Sequence, residues 1–387
     1  MQVIRLILIY MGLSLLGGCI YEYNPDLKDS DNALVINGKV TDKEGYQYIE
    51  ISRSTAPYDP GNVHPLSGYT VEIQDDEGNS FPGTEVEPGL YRCWMDQEYL
   101  APGISYRLIV TDIVGSMYVS DYDELLPCPD IDSISYEFQE KEADIPGIYY
   151  QGLQFFVNTD GSGEYAKNFL WELEETWEYH ARYEIAVTYD GRIRDLDEII
   201  YDYLYCWQSK RIPNIYTFST QNLTSGQIRN YPLHFVSNQT ERLGIKYSTL
   251  VKQFSLSQEA FEFWNTLDKQ SKQSGELYET QPAQIIGNIH SQEDGGEPVL
   301  GLFYATSVKE KRIFVSPAIE VLRPNCVPLG LSTNELHDFL GSISPNQYPI
   351  YLYFEDLGIV RVYDYAEQEC FDCRKRGGIT ERPDFWE

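Results

Sequence analysis

The sequence predicts a mainly β protein: an N-terminal immunoglobulin-like β-sandwich, followed by a larger β-rich domain with one packed α-helix. Three observations predict it. Short runs of alternating apolar and polar residues recur between turn-forming clusters. Aromatic residues make 14% of the chain, 32 tyrosines among them, and such side chains fit the half-buried face of a pleated sheet. One stretch alone, near 257–272, carries a clear helical period.

The sandwich is expected over 33–130. Leu34, Ile36 and Val40 alternate with polar residues, and Asp42, Lys43, Glu44 and Gly45 turn the chain. Tyr69, Val71 and Ile73 form a second alternating run, closed by a turn at 75–79. Tyr91 and Cys93 follow Gly89. Tyr106, Leu108 and Val110 make a fourth strand, and Met117 and Val119 a fifth. Pro102, Gly103 and Tyr106 at the entry of the fourth strand have the pattern of a tyrosine corner, whose phenol bonds back to nearby backbone and pins a sandwich edge. Tyr106 is therefore read as structural. Pro127, Cys128, Pro129 and Asp130 mark the boundary, because two prolines would interrupt a sheet ladder.

The second domain is expected over 131–387. Leu153, Phe155 and Val157 alternate, as do Phe169, Trp171 and Leu173, with further strands near 201–207, 300–304, 313–315, 350–354 and 359–363. In the helix, Ser257 is the expected N-cap, Glu259 lies in the first turn, and Phe261, Trp264 and Leu267 form a stripe expected to pack on the sheet. Residues 334–340 suggest a second short helix, with Leu336, Phe339 and Leu340 on one face. No internal repeat or low-complexity tract is present.

The formal charge of −31 disfavours nucleic acid, whose phosphates would repel such a surface, and equally disfavours anionic lipid headgroups. It is read as the solubility device of an exported protein. The search for catalytic chemistry identifies no catalyst. The five histidines, His64, His180, His234, His290 and His337, stand singly, without a metal-ligand pair. No nucleophile elbow, P-loop or dinucleotide fingerprint occurs. The acidic pairs Glu174/Glu175 and Asp197/Glu198 could serve acid–base chemistry, but 60 carboxylates make adjacent pairs frequent by chance. The segment from Asp160 to Glu164 has a calcium-loop flavour without the ligand spacing, and is read as a hairpin turn. No cofactor or metal is expected.

The first 18 residues read as an export signal. Arg5 precedes an apolar run from Leu6 to Leu16, too short to span a bilayer, which needs about 20 apolar residues. Leu16, Gly17, Gly18 and Cys19 resemble the lipobox of bacterial lipoproteins, in which the cysteine thiol is lipidated and becomes the mature N-terminus. Cys19 is thus the expected lipidation site, and 19–32 a lipidated tether. Several acyl chains give stable anchoring where one is marginal. Ile20 at the next position favours the outer membrane, by resemblance to lipoprotein sorting.

Six further cysteines remain, and an even number in an exported chain suggests disulfides. Cys93 and Cys128 are expected to pair in the first domain, leaving Cys206, Cys326, Cys370 and Cys373 for the second. The Cys370 and Cys373 spacing lacks the companions of a zinc or redox motif and is read as structural bridging.

Several ordered segments carry a family likeness: Asn37, Gly38 and Val40; Pro65, Gly68 and Val71; Gly89 and Tyr91; Pro102, Gly103 and Tyr106; Pro129 and Asp132. Further on come Glu174 and Trp177, Cys206 and Trp207, Phe263 and Trp264, Gln281 to Ile289, Cys370, Asp372, Cys373 and Arg374, Gly377 and Gly378, and the terminal Arg382, Pro383, Asp384, Phe385 and Trp386. Together they resemble the Bacteroidota outer-membrane lipoproteins of domain of unknown function 4249, over nearly the whole mature chain. The resemblance implies an outer-membrane lipoprotein, often encoded beside a TonB-dependent, SusC-like transporter; a transporter barrel is thus the expected partner and the cell surface the expected location, while the residues leave the leaflet open. It implies no enzyme activity and transfers no ligand-binding residue. The terminal segment reads as a tail fastened by disulfides, with Phe385 and Trp386 packing as a plug. The expected function is therefore a non-catalytic accessory or ligand-capture role, for which exposed Tyr and Trp side chains would be natural platforms for a small nutrient. The alternatives are a structural or adhesive surface lipoprotein and, behind both, a secreted hydrolase.

Overall fold

The computed structural model describes residues 33–54, 64–143, 145–273, 285, 287–293, 298–358 and 360–386, and the chain in it is mainly β. The signal, Cys19, the tether and most of 281–289 lie outside the described residues.

The first core is built by β1 (Leu34–Thr41), β2 (Gly45–Arg53), β3 (Thr70–Asp75), β4 (Ser80–Glu87), β5 (Leu90–Met95), β6 (Ser105–Thr111) and β7 (Met117–Ser120). They run as two connected sheets, β7–β6–β3–β4 and β4–β5–β2–β1, with β4 shared. The start of β4 pairs with β3 (Glu72 opposite Pro82), and its continuation pairs with β5 (Gly83 opposite Cys93). Gly83 stands at this change of partner, where a Cβ would come within 3.0 Å of the Val71 Cβ and 3.2 Å of the Cys93 sulfur. Inward-facing Leu34, Ile36, Ile49, Ile51, Val71, Ile73, Leu108 and Val110 fill one core between the sheets. Tyr106 is buried in it, and its hydroxyl donates to the Tyr99 carbonyl, as the corner pattern requires.

The second core is enclosed by β8 (Ile131–Glu142), β9 (Tyr149–Asp160), β10 (Asn168–His180), β13 (Tyr205–Ser219), β14 (Gln227–Ser237), β15 (Lys246–Leu256) and β19 (Val308–Val315). Their sheet orders are β8–β9–β14 and β13–β10–β15–β19. Between them pack Phe155, Trp171, Tyr247 and Val251, with Phe155 stacked on Tyr247 at 5.6 Å between centroids. Helix α1 (Gln258–Gln273) lies against the other face of the larger sheet. Ser257 caps it through the Ala260 N–H at 3.1 Å, and Phe261, Phe263 and Trp264 pack beside Leu170, Phe254 and Tyr304. A smaller layer is made by β11 (Ile185–Tyr189), β12 (Ile193–Ile200) and α2 (Thr333–Ser342), the last closed by a capping box of Ser332 and Glu335.

One connection has no counterpart in the sequence reading. After α1 the chain returns to the first core as β16 (Ile289–Ser291), β17 (Val299–Leu300) and β18 (Phe303–Thr306). The first pairs antiparallel with β7; the other two run parallel with β1. Ile289, Val299, Phe303 and Ala305 are buried there. Ser307 alone then separates β18 from β19, so one residue carries the chain from one core to the other. Across this step Ser255 Oγ donates to the Leu126 carbonyl at 2.6 Å and accepts from the Ser307 N–H at 3.0 Å.

The cysteines require one correction. Cys206 bonds Cys373 and Cys326 bonds Cys370, but Cys93 and Cys128 are both free and buried. They cannot reach each other because Cys93 sits in the first core and Cys128 in the second, where its sulfur lies 3.5 Å from Gln253 Nε2. Burial pushes each thiol up to about 12, which keeps it protonated and unreactive at neutral pH.

Candidate functional site

Strand alternation decides which side chains of the first core face outward. On β1 these are Asn37, Lys39 and Thr41, and on β2 they are Tyr46, Tyr48 and Glu50. Trp94 of β5 lies opposite Tyr46 and meets its ring edge-on at 4.9 Å, while the Arg92 guanidinium stacks over Tyr46 at 4.1 Å. This polar-aromatic face is partly covered by α1. Where cover ends, a cleft of about 470 Å³ opens between the two cores. Its walls are Lys39, Tyr46 and Tyr48 on one side and Glu172, Arg211 and Trp264 on the other, with Tyr304 of β18 also lining it. A second cavity of about 350 Å³ shares Glu172, Arg211 and Trp264 and extends it along β13.

Three charged groups cross the junction. Glu172 Oε1 lies 3.5 Å from Lys39 Nζ and 3.0 Å from Arg211 Nη2. The Lys39 ammonium also sits over the Phe254 ring at 4.3 Å. Burial lowers the Lys39 pKa, and the Glu172 carboxylate works against that shift. Trp264 meets the Tyr304 ring edge-on at 6.3 Å. The volume falls in the range of small-molecule sites, and the lining combines flat apolar faces with a few placed polar groups.

The sequence-singled residues fall mostly elsewhere. Glu174 and Glu175 are neighbours on β10 and so point to opposite faces: Glu174 reaches Arg312 at 3.5 Å, whereas buried Glu175 accepts from Arg242 at 2.9 Å and Tyr247 at 3.0 Å. No acid–base pair forms from them. Asp197 and Glu198 likewise diverge along β12, both exposed. Asp160 accepts from the Ser162 N–H at 3.0 Å within a turn, and no group of three or more metal-ligating side chains gathers among the described residues. His180 pairs with Glu178 and His290 with Asp121, far apart in the fold, while His64 and His337 are exposed. Of the expected helical stripe, Phe261 and Trp264 pack on the sheet, whereas Leu267 lies outside that cluster and lines the cleft together with Trp264. Of the terminal plug, Trp386 is buried against Phe314 and donates to Glu178 at 3.2 Å, but Phe385 lies at the surface under the Arg312 guanidinium. Lys39, Tyr46, Tyr48, Glu172 and Arg211 were not singled out. The available signal was Tyr46, Tyr48 and Glu50 in period two, an outward face rather than a core face.

Fold and cleft together define a two-core β protein with a ligand-sized cleft at the junction of its cores. The chain belongs to the family described as Domain of unknown function (DUF4249), matched over residues 20–312. No curated protein matches it. Solved structures with some likeness include trypsin-activated α2-macroglobulin from Escherichia coli, at 10% identity and a TM-score of 0.18, covering 59% of this chain and 15% of that one. Another is a DUF4785 family protein from Legionella pneumophila, at 11% identity and a TM-score of 0.16, covering 57% and 52%. The chain thus spans about half or less of either, and neither likeness carries an argument about fold or function.

Proposed function

We propose that the protein is a non-catalytic lipoprotein of the outer membrane, anchored at the cell surface through Cys19, that captures a small ligand for a TonB-dependent transporter. The junction cleft carries this reading. Its aromatic faces suit the apolar face of a sugar ring or a peptide side chain, and the Lys39, Glu172 and Arg211 triad offers directed polar contacts. Family membership and the lipobox support the anchor and the partner. A structural or adhesive role is the second reading, favoured by Tyr136, Phe138 and Tyr149, which stand exposed on the β8–β9 hairpin.

The test is purification of the native lipoprotein from detergent-solubilised outer membranes. A large β-barrel should co-purify, and denaturation should release a small molecule detectable by mass spectrometry. The Tyr48→Ala/Trp264→Ala variant should keep the barrel and lose the small molecule. Repeated recovery of the lipoprotein alone would overturn the transporter partnership. Undiminished small-molecule recovery from the variant would overturn the role of the cleft.

A further inference from the structure

A second cavity system lies at the far end of β10, beside the two disulfides, and its charge is opposite to that of the chain. One groove of about 410 Å³ is lined by Arg182, Arg323 and Arg376, with Glu241 its one carboxylate. It continues into a shallower groove of about 600 Å³ that adds Lys210, Arg242 and Glu175 and shares Arg323 and Glu241. Five cations therefore face two carboxylates, on a protein whose formal charge is −31.

Both carboxylates are already occupied. Arg242 holds Glu175 through both oxygens at 2.9 Å, and Arg376 pairs with Glu241. The Arg376 Nη2 also donates to the His180 carbonyl at 2.8 Å, while its buried Nε–H has no partner among the described residues. The other three cations form no close ion pair: among the described residues no carboxylate lies within ion-pair distance of Arg182, Arg323 or Lys210, and Glu241 acts on Arg323 only from further off. Arg323 makes one long contact, to the Gly244 carbonyl at 3.4 Å, and Arg182 rests 5.9 Å from the Tyr183 ring centroid.

The disulfides explain why these arginines converge. Arg323 precedes Cys326 by three residues and Arg376 follows Cys373 by three. Cys326 is bonded to Cys370, whose carbonyl accepts at 2.9 Å from the backbone N–H of Arg182. Cys373 is bonded to Cys206, fixing the segment that carries Arg376 against β13. Three guanidiniums distant in sequence are thereby held around one groove, Arg323 and Arg376 by disulfide-linked segments and Arg182 by a backbone hydrogen bond. Guanidinium forks match planar or tetrahedral oxyanions, and three of them around one groove offer more donors than its carboxylates use.

We infer that this groove is a binding site for a multivalent oxyanion, a phosphate or polycarboxylate group, gripped by Arg182 and Arg323 with Arg376 lining the groove beside them. The site is separate from the aromatic cleft and does not depend on the proposed transporter partnership. Full-length lipoprotein in a nonionic detergent would be titrated calorimetrically with inorganic phosphate and, separately, with citrate, in a chloride buffer. Saturable binding of either ion is expected, and the tighter of the two identifies the class of group. Arg182→Ala/Arg323→Ala should weaken that binding about tenfold or more, since charge-assisted hydrogen bonds are lost. Both side chains are exposed and weakly engaged, so the variant should keep the parent's melting temperature. Lys210→Ala, further along the groove, should give a smaller loss, and Lys43→Ala, on the first core, none. Failure of both ions to bind saturably, or equal binding by the parent and the double variant, overturns the assignment.

Discussion

Gln253 is the side chain whose replacement should most sharply test how the two cores are joined. It is fully buried on β15, and every hydrogen-bonding position of its amide is used. Nε2 donates to the Pro129 carbonyl at 2.8 Å and to the Cys128 sulfur at 3.5 Å. Oε1 accepts from the Thr159 hydroxyl at 2.7 Å and from the Trp171 indole at 2.9 Å. The amide thus ties the proline-rich segment between the cores to β9 and β10. Gln253→Leu keeps the bulk but strands the indole N–H and the Pro129 carbonyl in a dry interior, and leaves the threonine hydroxyl to find another partner. At about 1–3 kcal/mol for each of the two stranded groups, the expected loss is about 2–6 kcal/mol. Thr159→Val removes one bond and should cost about 1 kcal/mol. Urea unfolding, followed by tryptophan fluorescence because Trp171 itself reports on the site, gives both values. A Gln253→Leu variant within about 1 kcal/mol of the parent would refute the claim that this satisfied node holds the junction.

Further outcomes follow from the same structure. Unreduced native protein should leave Cys93 and Cys128 unmodified by a thiol reagent, and denaturation without reductant should expose both to labelling; a single label or none would contradict the corrected pairing. Cys206→Ala/Cys373→Ala opens a link across a sequence separation of 167, and Cys326→Ala/Cys370→Ala one across 44. The chain-entropy relation gives losses of about 5 and about 4 kcal/mol respectively, measured as shifts in unfolding free energy, with the first variant the less stable. Burial raises the Asp123 carboxyl from 3.8 to about 6 and lowers the His234 imidazole from 6.5 to about 4. Between those limits folded Asp123 holds a proton that the unfolded chain has lost, so its contribution to stability falls by up to about 3 kcal/mol as pH rises through the window. Folded His234 resists a proton that the unfolded chain accepts, so its contribution falls by up to about 3 kcal/mol as pH drops, and less because the ring is only partly buried. Relative to the parent, Asp123→Asn should therefore lose stability more steeply between pH 7 and 4, and His234→Gln less steeply; parallel melting curves for all three would count against both shifts. Finally, Cys19→Ala should release the protein from membranes, and continued incorporation of labelled palmitate in that variant would overturn the lipidation assignment.

The strands most legible in the sequence were those with one face in a core and one in water. Leu34, Ile36 and Val40, Val71 and Ile73, and Tyr106, Leu108 and Val110 alternate for that reason, and all became strands. β2 was missed because its pattern is inverted to the eye: Tyr46 and Tyr48 point outward, while Gln47 is buried and satisfied by the Thr41 N–H and the Lys43 carbonyl. β8 was missed because Tyr136 and Phe138 are exposed, so no single buried face stands out. The return of 289–306 to β1 could not be read locally, since Val299 and Phe303 find their places only beside Leu34 and Gly38, more than 250 positions earlier. The cysteine spacing carried the same limit. Count and compartment implied disulfides, but Cys93 and Cys128 are kept apart by the division into two cores, which spacing does not encode.

That division bears directly on the cleft. Its two walls belong to different cores, so they could slide unless something fixes them, and the fixing groups cluster within a few residues of Ser307. Val308 N–H donates to Asp42 at 2.9 Å, Ala305 N–H to Asp123 at 2.8 Å, and Ser255 bridges Leu126 to Ser307. Asp123 also meets Ser257, the cap of α1, so the helix bearing Trp264 is positioned from the first core although it packs on the second. Asp123 sits buried among these donors, and its raised pKa is the cost of holding a carboxylate at the seam. The cleft is consequently pre-formed. Tyr48 and Trp264 both line the cleft and are set in place by backbone register and the shared hydrogen-bonded seam, which leaves the space for a ligand.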